Sequence, residues 1–71
     1  MDRVRVQFDM SAAAVARIDS LADDTGAATR AEVVRKALAL YDRLLKMEEA
    51  GAEVRIRRAD GETVILPIRG L

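Results

Sequence analysis

The first residues of the chain alternate between apolar and polar side chains. In the stretch RVRVQFDMS, residues 3–11, the apolar residues Val4, Val6 and Phe8 are separated by single polar residues. An alternation of period two predicts a β-strand with one apolar and one polar face. No similar alternation follows before residue 50, so a local hairpin cannot supply the neighbouring strand.

The residues after this strand have the pattern of an amphipathic helix. Over residues 12–25 the apolar side chains recur every three or four residues, which places them on one face. Ser11 precedes the first of them and is the expected N-cap. Gly26 is expected to end the helix.

A second, longer amphipathic helix is predicted to begin at Thr29. Thr29 and Glu32 have the spacing of a capping box, and Gly51 suits the position just past the end of the helix. One short helix and one strand of the same subunit could not cover the wide apolar face of this helix. The face consists of two adjacent ridges: Val33, Ala37, Leu40 and Leu44, and Val34, Leu38, Tyr41 and Leu45.

Alternation returns near the end of the chain and predicts a small β-hairpin over residues 53–68. Asp60-Gly61 is a two-residue turn signal at its centre. Pro67 lacks an amide donor, so the second strand should lie at an edge or end near that residue.

Composition narrows the classes of protein that this chain could be. It has 71 residues, 12 basic and 12 acidic side chains, and neither cysteine nor histidine. Disulfides and the usual zinc ligand sets are therefore excluded, and oligomerisation is the remaining common way to stabilise so small a core. No serine, threonine or tyrosine lies in a recognisable catalytic arrangement, so we expect no enzyme, no metal and no cofactor. Without a long apolar run, we expect a soluble, cytoplasmic protein with no membrane partner.

The order strand, helix, turn, capped helix resembles the ribbon-helix-helix (MetJ/Arc-type) family of DNA-binding proteins. RVRVQFDMS and TGAATRAEVVRKAL carry the resemblance, which covers about residues 3–46. It implies a mainly α fold with a short N-terminal strand, in which two chains intertwine as a homodimer. The two strands then pair antiparallel into a ribbon that enters the major groove of DNA. Residues 1–50 would form this dimerisation and DNA-binding domain, and residues 51–71 a C-terminal β-hairpin or partner-binding tail.

The polar face of the predicted strand carries residue types that read bases. If the apolar residues face the helices, Arg3, Arg5 and Gln7 face outward. Arginine can donate two hydrogen bonds to guanine, and glutamine pairs with adenine. The resemblance assigns the base contacts to these three positions.

The resemblance also implies phosphate contacts and a dimer core. The family anchors phosphates on the backbone amides at the start of the second helix, which correspond here to Thr29, Arg30 and Ala31. The residues expected in the dimer core are Val4, Val6, Phe8, Val33, Val34, Ala37, Leu38, Tyr41 and Leu45.

These expectations lead to one function with two alternatives. The leading one is a sequence-specific transcriptional repressor or autoregulator that binds an operator in double-stranded DNA, with higher-order assembly on tandem sites as an option. A sharper variant is the antitoxin of a toxin–antitoxin pair, with residues 52–71 binding a protein partner. The alternative of a different class is a protein-interaction adaptor that keeps the fold without binding DNA, which the zero net charge favours.

Overall fold

A computed structural model describes residues 3–71 of the chain as two helices followed by two short strands. The elements are α1 (Ala12–Thr25), α2 (Arg30–Glu49), β1 (Arg55–Arg57) and β2 (Thr63–Ile65). The chain divides into two compact units, with the boundary between Val34 and Arg35. The first unit contains α1 and the first turn of α2, and the second contains the remainder of α2 and the strands.

Helix α1 has the bounds and caps that the sequence predicts. The Ser11 side-chain oxygen accepts a hydrogen bond of 3.1 Å from the Ala14 amide, which satisfies one of the free N–H groups of the first turn. Gly26 ends the helix with a φ of 72°, in the left-handed region where a side chain would be strained. Both predicted caps are confirmed.

The predicted capping box begins α2. The Glu32 amide donates to Thr29 Oγ1 at 3.1 Å, and the Glu32 carboxylate accepts from the Ala28 amide at 2.9 Å. The carboxylate therefore reaches one residue upstream of Thr29. The two hydrogen bonds fix the direction in which the chain enters the helix.

The end of α2 is a Schellman motif built on Gly51. The Gly51 amide donates to the Glu48 carbonyl and the Ala52 amide to the Met47 carbonyl, each at 3.0 Å. Gly51 has a φ of 95°, which explains why glycine occupies this position. The helix thus ends where the sequence predicts.

The predicted N-terminal strand is the main difference between expectation and structure. Residues 3–11 have no strand assignment, and the sheet within residues 3–71 consists of the two C-terminal strands. The physical reason is that a strand is defined by hydrogen bonds to a neighbouring strand. No strand within residues 3–71 pairs with this segment, in agreement with the isolated alternation in the sequence.

The C-terminal hairpin is confirmed, but its turn differs from the predicted two-residue turn. The paired residues are Arg55 and Ile65, Ile56 and Val64, and Arg57 and Thr63. The Arg58 amide donates to the Glu62 carbonyl at 2.7 Å, so three residues form the loop. Gly61 is the last of them, and its φ of 89° is typical of a three-residue hairpin loop.

The chain after β2 turns back to the end of α2. Strand pairing ends near Pro67, as predicted, with the Leu66 amide still donating to the Val54 carbonyl at 2.9 Å. Ile68 follows and is 1% exposed, which makes it, with Val33 in the first unit, one of two buried apolar side chains among the described residues. The second unit therefore has a small core of its own.

Glu48 holds this C-terminal turn. Its carboxylate accepts hydrogen bonds from the Ile68 amide at 2.9 Å and from the Arg69 amide at 3.1 Å. A carboxylate near the C-terminal end of a helix is unfavourable for the helix dipole, and the two amide donors offset this. The side chain of Arg69 also pairs with the neighbouring Glu49.

We expect Glu48→Ala to release the C-terminal turn while leaving the helices folded. Hydrogen bonds to a charged group contribute about 1.5–3 kcal/mol, so the Ile68 and Arg69 amides should lose at least about tenfold of their protection from hydrogen exchange. Glu49→Ala is the matched control, because it removes only an exposed ion pair of little energetic weight. Unchanged protection in Glu48→Ala would show that the carboxylate does not hold the turn.

Candidate nucleic-acid interface

The N-terminal segment exposes both its polar and its apolar side chains. Arg3, Arg5 and Gln7 are exposed, as their predicted role requires. The intervening apolar residues are exposed as well, with Val4 at 82% and Phe8 at 70%. This segment therefore carries an amphipathic strand sequence whose apolar face is not covered by its own chain.

An open apolar groove lies beside this segment in the first unit. Its volume is about 430 Å³. The groove is lined by Phe8, Asp9, Met10, Val15, Ile18, Arg30, Ala31 and Val34. Residues of the N-terminal segment, α1 and the first turn of α2 thus contribute to one surface.

The residues expected in the dimer core are mostly exposed in the single chain. Val33 is buried and Leu45 is half-buried, whereas Leu38 is 64% exposed. The other exposed members of this set are Val4, Val6, Phe8, Val34, Ala37 and Tyr41.

The start of α2 presents free backbone donors. Within residues 3–71 the amides of Arg30 and Ala31 make no hydrogen bond, as is usual in the first turn of a helix. Thr29, the predicted third member of this group, uses its hydroxyl to accept the Glu32 amide. The helix end therefore combines free N–H groups with the positive end of the helix dipole, which favours anions.

The side chain of Arg30 binds Asp19 of α1, a contact that the sequence did not reveal. Arg30 Nε lies 2.8 Å from Asp19 Oδ1, and Arg30 Nη2 lies 3.0 Å from Asp19 Oδ2. The hydrogen bond from Arg30 holds the pKa of the Asp19 carboxyl below its usual value, and the same bond raises the pKa of the Arg30 guanidinium. The two residues are eleven positions apart in the sequence, and no spacing rule links such positions.

The family is settled by a comparison with known protein families. The family model described as "Ribbon-helix-helix protein, copG family" matches residues 4–45, more than half of the chain. This chain belongs to the ribbon-helix-helix family. The resemblance seen in the sequence is thereby confirmed. No curated protein and no solved structure matches the chain significantly.

Membership gives the protein a general character. Ribbon-helix-helix proteins are generally non-enzymatic, DNA-binding transcription regulators or antitoxins, and they typically bind DNA as dimers. Neither helix within residues 3–71 is long and apolar enough to cross a membrane. The C-terminal hairpin lies outside the matched residues.

Proposed function

We propose that this ribbon-helix-helix protein is a sequence-specific transcriptional repressor or autoregulator that binds its operator as a homodimer. The observation that carries the proposal is the N-terminal segment, in which polar, base-reading residue types alternate with uncovered apolar side chains. Pairing with the same segment of a second copy would give each strand its hydrogen-bonded neighbour, and the apolar face of the ribbon would then be covered by packing on the helices. Arg3, Arg5 and Gln7 would then point together into the major groove.

The dimer is supported by the apolar surface that the single chain leaves open. The 430 Å³ groove of the first unit can accept large apolar side chains. The exposed apolar residues of α2 offer a second area to cover. Large exposed apolar areas mark interaction sites in proteins generally. We assign it to a second copy because the unpaired N-terminal strand also needs one.

Phosphate anchoring would come from the start of α2. The amides of Thr29, Arg30 and Ala31 lie at the helix end that favours anions. Contacts of this kind position a protein on DNA without reading sequence. In this proposal the start of α2 positions the protein on DNA, and the ribbon reads the base sequence. Both groups of residues lie within the proposed domain of residues 1–50.

The C-terminal hairpin favours the antitoxin variant of this function. Ile56 and Val64 face each other across the strands and remain partly exposed, although the hairpin is attached to α2 through Glu48. A folded tail with uncovered apolar side chains, outside the matched residues, suits a protein partner bound through residues 52–71. A co-purified toxin encoded by a neighbouring gene would favour this variant.

DNA binding is tested with the purified protein and the DNA upstream of its own gene. We expect the association constant for this DNA to exceed that for a scrambled duplex, and its logarithm to fall linearly with the logarithm of salt concentration by about 0.9 per phosphate contacted. Binding to neither duplex at low salt would contradict the proposal and favour the adaptor, which the zero net charge also suits.

A further inference from the structure

The contact between Asp19 and Arg30 uses the fork of the guanidinium that binds anions. Arg30 donates through Nε and Nη2, one to each oxygen of the Asp19 carboxylate. A phosphate accepts the same pair of donors in the same bidentate geometry. While Asp19 occupies this edge, Arg30 cannot offer it to a phosphate.

The ion pair between Asp19 and Arg30 lies at the proposed phosphate-binding surface. Arg30 is the first residue of α2, so its guanidinium is attached at the helix end whose free amides we propose as phosphate anchors. An arginine at that position would normally add one positive charge per subunit to the phosphate-binding surface. Asp19 cancels this charge locally. The protein as a whole is likewise neutral, with 12 basic and 12 acidic residues.

The ion pair is exposed to solvent, so a phosphate can replace the Asp19 carboxylate as the partner of Arg30. The side chains of Arg30 and Asp19 are 64% and 48% exposed. Exposed ion pairs contribute little to the stability of a fold, so replacing the aspartate should leave the helices intact. A phosphate approaching the start of α2 would compete with the carboxylate for the same donors.

We propose that Asp19 sets the sequence-independent DNA affinity of this protein by holding Arg30 as an internal counter-ion. The inference rests on the proposed DNA-binding function and names a residue that limits it. Phosphate contacts raise affinity for all sequences alike, and a regulator must find its site among a vast excess of non-specific DNA. Because Asp19 neutralises Arg30 at the start of α2, the attraction of the protein to DNA of any sequence stays low.

The test is Asp19→Asn, with binding to operator and to scrambled duplex measured across salt concentrations. Asparagine keeps the shape but removes the charge that holds Arg30. We expect tighter binding to both duplexes and a salt dependence steeper by about 1.8, because a dimer gains about two phosphate contacts at about 0.9 each. Asp24→Asn is the matched control. Asp24 is an exposed aspartate of the same helix that forms no ion pair within residues 3–71.

The double variant Asp19→Asn/Arg30→Gln tests whether the gain in affinity comes from Arg30. It removes both charges of the pair, so the tighter binding and the steeper salt dependence expected for Asp19→Asn should be lost. A gain that persists in the double variant, an equal effect of Asp19→Asn and Asp24→Asn, or no effect of Asp19→Asn would each overturn the inference. If the wild type binds neither duplex, the proposed function fails and the inference fails with it. If the wild type binds DNA and Asp19→Asn has the same affinity and salt dependence, only the inference is refuted and the proposed function stands.

Discussion

Leu38→Asp should leave the protein unfolded, although Leu38 is 64% exposed in the single chain. If the chain were a monomer, a polar substitution at so exposed a position would change the free energy of unfolding by about 0.5 kcal/mol or less. In the proposed dimer the same side chain is buried against the second copy. A carboxylate without a partner would then cost several kcal/mol, about the whole stability of a domain this small.

The expected result is therefore loss of helical circular dichroism together with loss of the dimer. Val34→Asp should behave in the same way. Ala39→Asp is the matched control, because Ala39 lies on the polar ridge of α2 with Arg35 and Asp42, at spacings of four and three residues. This variant should remain folded and dimeric. Light scattering and circular dichroism at micromolar concentration measure both properties, and a folded Leu38→Asp monomer would disprove the obligate dimer.

A feature of this fold could be predicted from the sequence when the residues that form it are close together along the chain. Helix caps are made by residues three or four positions apart, so Ser11, Thr29 and Gly51 could be assigned from local pattern alone. The hairpin turn was located correctly because Asp-Gly fits any turn with a left-handed glycine. For the same reason the dipeptide could not distinguish a two-residue loop from the three-residue loop that is present.

Contacts between distant residues could not be predicted in this way. Glu48 and Ile68 are 20 residues apart, and Asp19 and Arg30 are 11 apart. Asp19 is one of three aspartates in α1, and no sequence pattern distinguishes it as the partner of Arg30. The predicted N-terminal strand is the limiting case, because no strand within residues 3–71 pairs with it. In the proposed dimer a second copy would supply the neighbouring strand, and a pattern within one chain cannot show such a contact.

Arg5→Ala should remove most of the preference for operator over scrambled DNA without disturbing the fold. Arg5 is exposed. It lies in the middle of the proposed strand, where the paired ribbon would enter deepest into the groove, and the alternation of a strand would place its side chain on the face opposite the apolar residues. One bidentate contact to guanine contributes about 1–3 kcal/mol of discrimination, and a symmetric dimer loses it in both halves. The ratio of the two association constants should therefore fall at least about thirtyfold. Arg3→Ala and Gln7→Ala should give smaller effects of the same kind.

Thr29→Pro should weaken binding in a different way. The substitution removes the hydroxyl that accepts a hydrogen bond from the Glu32 amide. It also removes one backbone N–H donor at the start of α2, because proline has none. Because phosphate contacts carry no sequence information, affinity should fall for operator and scrambled duplex together and their ratio should persist. The two duplexes are competed against each other at fixed salt for each variant, with circular dichroism and light scattering as the check on folding.

A folded Arg5→Ala dimer with an unchanged ratio of the two association constants would mean that the ribbon does not read the operator. The adaptor function would then explain the exposed strand better, since pairing and apolar contact require no base contact.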